Sequence, residues 1–374
     1  MKKGCRNIFI LFLLLPVLLA LLGAAGYYRL NQFADSALPG LGADVRVQVA
    51  RGDSFRSVLG KLRAAGVDSG HDWEWMLLAK RTGAVGKIQV GEYALTPGIS
   101  PQALLIKMRD GKVLRYQFTL VEGWSMREVR RALARTAHLQ QETAQMSDAE
   151  LMAAIGRPGE HPEGRFLPET YQYNRGDSDL GVLKRAYEAM EKELQTVWAG
   201  RNQALPLKTP YELLTLASIV EKETGLAEER GKIAGVFVRR LNIGMRLETD
   251  PTIIYGLGDA WDGKFTWAHL RTDGPYNTRT RAGLPPTPIA MPGRAALQAT
   301  AHPEDGDALF FVAVGDDSGR SRFAKTYAEH QRNVAAYLAN RRAANAASSA
   351  DAATLPARGT VGTEDVSPTQ ESPP

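Results

Sequence analysis

The chain has 374 residues, of which 44% are hydrophobic and 23% charged, with a net charge of +5. These proportions are typical of a globular protein with two or three domains. Its Lys and Arg residues form no dense block in the folded part, so nucleic acid is not an expected partner. The single cysteine, Cys5, excludes a disulfide framework and a cysteine-ligated zinc site.

An uncharged apolar segment runs from Ile8 to Tyr28. About 20 such residues cross a bilayer core, and Lys2, Lys3 and Arg6 before it are expected to stay cytoplasmic. Residues 1–30 are therefore predicted to form a cytoplasmic tip and a transmembrane anchor in the cell inner membrane, with the remainder outside the cytoplasm. The alternative is a signal peptide cleaved near residues 23–25, but the apolar segment is longer than the usual h-region of about 7–15 residues.

Residues 31–44 are predicted to form a linker, and residues 45–112 a subdomain. Alternating valines from Val45 predict a strand, two helical patterns follow, and residues 90–95 predict a second strand. This β-α-α-β order resembles a LysM module, a fold that binds GlcNAc-containing polymers. The resemblance is carried by the Val-x-Val strand, the turn at residues 51–54 and the closing strand before Pro97-Gly98. A small α+β spacer without sugar binding is the alternative.

Residues 113–160 are predicted to hold a second strand-turn-helix unit and connecting helices. The segment from Phe118 to Val129 repeats the pattern of the segment from Val47 to Val58, with Ser125 matching Ser54. Convergence on a common strand-cap-helix pattern explains the repeat almost as well. Residues 140–162 are expected to be helical.

Residues 161–343 are predicted to form an α+β catalytic domain. Beyond them, residues 344–374 are rich in Ala, Ser, Thr, Pro and Glu, and are expected to be disordered because they carry almost no large apolar side chains. The predicted fold class is thus α+β: one N-terminal transmembrane helix, a LysM-like β-α-α-β subdomain and a catalytic domain.

A helix predicted between Thr209 and Gly225 carries the most informative residues. Thr209 is a typical N-cap, and Gly225 is placed to end the helix. At about 100° per residue, Glu221 falls among apolar side chains, whereas Glu223 falls at the opposite margin of the apolar face. An apolar setting raises the pKa of a carboxyl group, as a general acid requires near neutral pH. The alternative for Glu221 is a last-turn carboxylate that reaches solvent or an arginine.

Other chemistries lack their motifs. The sequence has no His-Glu-x-x-His, no Gly-x-Ser-x-Gly and no phosphate-binding glycine loop before a Lys-Ser/Thr pair. Carboxylate chemistry therefore remains, and no metal or cofactor is expected. The loops around residues 245–256 and 276–289 are rich in amide, hydroxyl and aromatic groups, which suit a carbohydrate cleft.

The sequence resembles the MltG (YceG-like) endolytic murein transglycosylases, strongly over about residues 160–340. Six strings carry the resemblance in one order: Phe166-Leu-Pro-Glu-Thr-Tyr171, Leu216-Ala-Ser-Ile-Val-Glu-Lys-Glu-Thr224, Val236-Phe-Val-x-Arg-Leu241, Gly244-Met-Arg-Leu-Glu-Thr-Asp-Pro-Thr252, Tyr276-Asn-Thr278 and Gly283-Leu-Pro-Pro-x-Pro-Ile289.

The resemblance implies an enzyme that cuts nascent glycan strands internally and ends their elongation, leaving 1,6-anhydro-MurNAc ends. It places the catalytic acid/base at the first Glu of the Ile-Val-Glu-Lys-Glu-Thr string, Glu221. The expected substrate-binding residues are Glu169, Glu223, Glu248, Thr249, Asp250, Tyr276 and Asn277. The chain departs from the family at Glu248, where the family often has Gln. The expected partners are peptidoglycan glycan strands and the inner membrane, with cell-wall synthases as candidate protein partners.

Two other functions stay open at this point. A muramidase-type hydrolase would use Glu221 together with Glu223 or Glu248, because hydrolysis needs a second carboxylate. A peptidoglycan-binding scaffold without catalytic activity would use the same surface only to hold glycan. The reducing ends of the product distinguish the lyase from the hydrolase, whereas a scaffold would give no product.

Overall fold

The computed structural model describes the backbone of residues 3–354 and the side chains of residues 14–344. The chain divides into two compact units: unit 1 is Met1–Met190, and unit 2 begins at Glu191. The predicted α+β class is confirmed at this level, since both units combine helices with short antiparallel strand pairs. Lys2, one of the three basic residues used to orient the anchor, lies outside the described residues, and the side chains of Lys3 and Arg6 do as well.

The elements of unit 1 are, in chain order, α1 (Lys3–Asp35), β1 (Arg46–Val49), α2 (Phe55–Ala64), α3 (Asp72–Arg81), β2 (Gly91–Ala94), α4 (Pro101–Arg109), β3 (Tyr116–Thr119), α5 (Met126–Ala134), α6 (Asp148–Ile155), β4 (Thr170–Tyr173) and the first half of α7 (Asp179–Gly200). The predicted β-α-α-β order is present: β1 and β2 pair antiparallel, with Val47 opposite Tyr93. Val47 and Val49 point into a core that α2, α3 and α4 complete.

The expected linker at residues 31–44 is instead part of this core. Helix α1 continues to Asp35, and Phe33, Ala34, Leu38 and Leu41 are buried in the same apolar cluster as the β1–β2 pair. The backbone N–H of Leu38 also donates to the Ile99 carbonyl at 2.9 Å. Residues 31–44 were predicted to be a linker because polar residues interrupt their apolar pattern. A segment that packs on a core with one side needs apolar residues on that side only.

The second strand-turn-helix unit has the same local form as the first. Gly52 and Gly123 adopt positive φ angles of 89° and 78° in the two turns, a conformation that favours glycine. Ser54 and Ser125 then cap α2 and α5. Strand β3 of this second unit pairs antiparallel with β4, which lies about 50 residues further along the chain. Within residues 140–162, expected to be helical throughout, only α6 forms.

Unit 2 contains the second half of α7, followed by α8 (Pro210–Glu223), α9 (Ala227–Asn242), α10 (Asp250–Leu257), α11 (Trp267–Arg271), α12 (Arg294–Ala301), β5 (Phe310–Ala313), β6 (Ser321–Ala324) and α13 (Tyr327–Thr354). Strands β5 and β6 pair antiparallel. The division between the two units falls after Met190, inside α7. Helix α13 also continues past residue 344, where the disordered tail was expected to begin; residues 355–374 lie outside the described part.

Candidate functional site

Helix α8 forms where its N-cap and apolar pattern predict it. The Thr209 hydroxyl accepts a hydrogen bond from the Glu212 N–H at 3.2 Å, and Pro210 occupies the first turn. Every residue from Leu213 to Val220 is buried, and the helix packs against α9, α10 and α12. The helix ends at Glu223, before the expected Gly225, because Thr224 is extended. Glu221 and Glu223 thus lie in its last turn, about 200° apart around the axis.

Glu221 faces the N-terminus of α12. Its Oε2 accepts a hydrogen bond from the Gly293 N–H at 2.9 Å, and Gly293 is the N-cap residue of that helix. The Arg230 guanidinium lies 4.0 Å from Oε1, and the Glu221 side chain is only 7% exposed. A helix N-terminus and an arginine both favour the ionised carboxylate. The Glu221 carboxylate therefore joins α8 to α12.

Glu223 faces the opposite side and lines a cavity. The Thr249 hydroxyl donates a hydrogen bond to its Oε1. Burial raises the pKa of Glu223 from 4.5 to about 7, and the nearby Asp250 acts in the same direction, while the Thr249 hydrogen bond and two arginines oppose the rise. Glu223 can therefore hold a proton near neutral pH and release it readily, as a general acid/base must.

The cavity around Glu223 encloses about 330 Å³ and combines basic, acidic and aromatic groups. Its charged and polar lining residues are Glu223, Arg240, Glu248, Thr249, Asp250, Arg279 and His330. Arg240 is held by backbone carbonyls, since its Nε donates to Leu309 at 2.7 Å and its Nη1 to Leu247 at 2.8 Å. Arg279 binds the Asp250 carboxylate at 2.7 Å. The cavity thus places Glu223, a carboxyl group with a raised pKa, beside the guanidinium groups of Arg240 and Arg279.

The loop before α10 is fixed by threonines. The Thr249 N–H donates to the Thr278 hydroxyl at 3.1 Å, and the Glu248 N–H donates to the Thr278 carbonyl at 3.1 Å. Glu248 itself has a positive φ of 52°, which is strained for a residue with a side chain. Pro251 lies in the first turn of α10, where its missing N–H costs no hydrogen bond. This network positions Thr249 beneath Glu223.

One wall of the cavity comes from residues that the sequence analysis did not single out. Phe310 lies on β5, and Tyr327 and His330 lie on α13. The His330 ring stacks on Phe310 at 5.2 Å, and its buried Nδ1 has no hydrogen-bond partner. Burial, together with Arg240, lowers the pKa of His330 and favours the neutral imidazole. Only the aromatic content of residues 310–330 signalled this wall.

Three of the expected substrate-binding residues lie elsewhere. Tyr276 and Asn277 line a second, mostly apolar depression beside α10 and α11. The Asn277 amide is used within its own loop, donating to the Thr272 carbonyl at 2.8 Å and accepting from the Arg279 N–H at 3.0 Å. Glu169 is exposed and belongs to unit 1. The structure brings Glu223, Glu248, Thr249 and Asp250 together, and it gives Tyr276 and Asn277 a different setting.

Comparison with known proteins agrees with the resemblance of the sequence motifs. The model of the YceG-like family matches residues 47–336. An endolytic murein transglycosylase of Bacillus subtilis is 29% identical over 314 residues, which cover 79% of this chain and 86% of that protein. An enzyme of the same name from Streptococcus pneumoniae is 27% identical; the match covers 86% of this chain but only 64% of the pneumococcal protein.

A crystal structure of a YceG-like protein from Listeria monocytogenes matches with a TM-score of 0.50 and 27% identity. The match covers 77% of this chain and 98% of the Listeria chain. The fold described above is therefore shared with a solved protein over most of its length.

Proposed function

Because this chain belongs to the YceG-like family, we propose that it is an endolytic murein transglycosylase that acts at the cavity around Glu223. The proposal is supported by the names of the bacillary and pneumococcal relatives and by one observation in particular. That observation is a carboxyl group with a pKa of about 7 that lines a polar and aromatic cavity. A carboxyl of this kind can both give and take a proton near neutral pH.

We assign the acid/base role to Glu223 rather than to Glu221, to which the resemblance of the sequence had given it. The two residues differ in what surrounds them. The Glu221 carboxylate accepts the Gly293 N–H and lies beside Arg230, which both favour its ionised form. Glu223 instead lines the cavity beside a hydroxyl donor, and burial raises its pKa. Glu221 then acts as a positioning residue that fixes the end of α8 against α12.

The proposed reaction cleaves the bond between MurNAc C1 and the oxygen of the following GlcNAc. The protonated Glu223 gives its proton to that oxygen as the C1–O bond breaks. The oxygen of the MurNAc 6-hydroxyl then bonds to C1, and its proton passes to the Glu223 carboxylate. The carboxyl is thereby restored, no water is consumed, and the product carries a 1,6-anhydro ring. Since the nucleophile belongs to the substrate, positioning supplies much of the rate enhancement.

Arg240, Arg279 and Thr249 are placed to assist this reaction. The two guanidinium groups suit the carboxylate and amide oxygens that peptidoglycan carries, and Phe310 and Tyr327 can cover sugar faces. A hydrolase would need a second carboxylate, for which Glu248 and Asp250 are the candidates in this cavity. We place the lytic reaction before hydrolysis because the relatives are named murein transglycosylases.

The test is digestion of uncrosslinked glycan strands by a fragment beginning at Tyr27, with mass spectrometry of the product ends. The fragment retains the residues of this segment that belong to the folded core: Leu30, Phe33, Ala34, Leu38 and Leu41. We expect internal cuts with anhydro-MurNAc ends, lost in Glu223→Gln by a factor of at least about 10³ and reduced far less in Glu221→Gln.

The alternative outcomes are distinct. Loss of cutting in Glu221→Gln with activity retained in Glu223→Gln would return the catalytic role to Glu221. Product ends that have gained water would identify a muramidase-type hydrolase. Binding without any cutting by the unsubstituted fragment would identify a scaffold.

We also propose that α1 anchors the chain in the inner membrane as a single-pass segment with its N-terminus in the cytoplasm. Residues Leu14–Asp35 are long and apolar enough to span a bilayer, and the described side chains of that helix are mostly exposed. An anchored enzyme would cut strands near the membrane and so end their elongation, with the LysM-like residues 45–112 holding glycan and cell-wall synthases supplying it. Glycan strands should then lengthen in cells that carry Glu223→Gln; unchanged strand lengths would contradict the terminator role.

A further inference from the structure

Helix α1 passes from its apolar segment into the core of unit 1 without a flexible linker. The side chains from Leu14 to Leu22 are exposed, whereas Leu30, Phe33 and Ala34 are buried in the core. Tyr27 and Tyr28 lie between the two parts and are 67% and 71% exposed. The orientation of this part of unit 1 is therefore fixed relative to the apolar segment.

Helix α3 crosses α1 immediately beyond the apolar segment. The Arg29 guanidinium binds Glu74 at 2.8 Å, and Arg81 donates to the Asn31 side chain at 2.6 Å. Glu74 and Arg81 are about 10 Å apart along α3, but their partners are only about 3 Å apart along α1. Helix α3 thus runs across α1, and hence broadly along the surface of any bilayer that α1 spans.

The contacts also show which side of α3 faces the apolar segment. Trp75 packs edge-to-face on Phe33 with ring centroids 5.3 Å apart, and Glu74 binds Arg29, which is one turn nearer to the apolar segment. The side of α3 that carries Glu74 is therefore nearer to the apolar segment than the side that carries Trp75. At about 100° per residue, Leu77 follows about 60° beyond Glu74, and Trp73 about 100° beyond it.

Leu77 and Trp73 are large apolar side chains that unit 1 leaves exposed, at 46% and 52%. Contiguous exposed apolar surface, as opposed to single exposed apolar residues, marks contact sites for protein or membrane. Tryptophan in particular favours the membrane–water interface, where its ring is buried while its N–H stays hydrated. These two side chains lie on the side of α3 that faces the apolar segment and the exposed tyrosines. The group that covers them is therefore lipid.

We propose that Trp73 and Leu77 insert into the outer interfacial layer of the bilayer that α1 spans. Helix α3 is then a second, peripheral contact with lipid, in addition to the anchor. The contact holds the β-α-α-β part of unit 1 at one height and one tilt above the membrane. This inference rests on the proposed membrane anchoring, and it adds a surface that the anchor alone does not require.

Met76 provides a matched control on the same helix. It is adjacent in sequence, apolar and 36% exposed, but it points about 100° away from Leu77. In the full chain with Cys5→Ser, which removes the single cysteine, we would introduce Leu77→Cys or Met76→Cys. Each variant would be labelled with an environment-sensitive fluorophore and reconstituted in nanodiscs of phosphatidylethanolamine and phosphatidylglycerol, with or without lipid that is spin-labelled at the headgroup.

We expect the label at position 77 to be quenched at least about threefold more strongly than the label at position 76. Equal quenching at the two positions, whether weak or strong, would overturn the proposal, and weak quenching at both would mean that protein or solvent covers the surface. Flotation of the unlabelled full chain with vesicles of the same lipids tests the anchor separately. A chain that floats but shows no difference between the two labels retains its anchor and lacks the docking contact, whereas a chain that does not float lacks both.

Discussion

Replacing Glu223 with Gln should stabilise unit 2 while it abolishes activity. The pKa of Glu223 rises from 4.5 to about 7 on folding, so the folded state holds a proton that the unfolded state releases between those pH values. Stability contributed by this group therefore falls as pH rises through that range. At about 1.4 kcal/mol per unit of pKa, the penalty grows by about 2–3 kcal/mol between pH 5 and pH 8. Glutamine does not ionise, so the Glu223→Gln variant does not lose stability in this way as pH rises.

The assay is urea unfolding of the fragment that begins at Tyr27, followed by circular dichroism at pH 5, 6, 7 and 8. The free energy of unfolding of Glu223→Gln, minus that of the parent, should rise steadily with pH by about 2–3 kcal/mol. Glu221→Gln is the matched control: it removes a charge beside Arg230 and the N-terminus of α12. It should cost about 1–2 kcal/mol, with no gain as pH rises.

A difference that stays flat with pH for Glu223→Gln would refute the reasoning, because it would mean that this carboxyl titrates in its ordinary range. A rising difference for Glu221→Gln instead would show that the raised pKa belongs to the other residue. Either result would also remove the observation that carries the catalytic assignment.

Three further outcomes are expected. Thr249→Val removes a hydrogen bond that lowers the pKa of Glu223, so the fall of activity with rising pH should move up by about 0.5–1 pH unit in a pH–rate profile; an unchanged profile would contradict that role. Phe33→Ala should lower the free energy of unfolding of unit 1 by about 3–5 kcal/mol, because Phe33 is a buried core residue, whereas a true linker position would change it by less than about 0.5 kcal/mol. Glu92→Gln should destabilise the same unit by about 2 kcal/mol in urea unfolding, since it leaves the partly buried Arg175 without the carboxylate that lies 3.0 Å away; equal midpoints would show that the pair is neutral.

The sequence by itself determined α8 and the β-α-α-β part, but not the extension of α1 to Asp35 or the irregular parts of residues 140–162. A helix N-cap, a proline in the first turn and eight consecutive residues that become buried specify α8 wherever the chain places it. Alternating valines and a glycine turn specify the β-α-α-β part, and six strings in one order identify the family. These signals act within a few residues, so they survive without knowledge of the tertiary contacts.

Only the tertiary structure distinguished the two carboxylates at the end of α8. The helical period places Glu221 and Glu223 on opposite sides, but it does not say which neighbour each side meets. The answer depends on residues far away in sequence: Gly293 at the start of α12 meets one carboxylate, and Thr249 before α10 meets the other. Since the pKa of a carboxyl is set by burial and by the charges and donors around it, the catalytic role that we propose for Glu223 rests on packing and not on the motif.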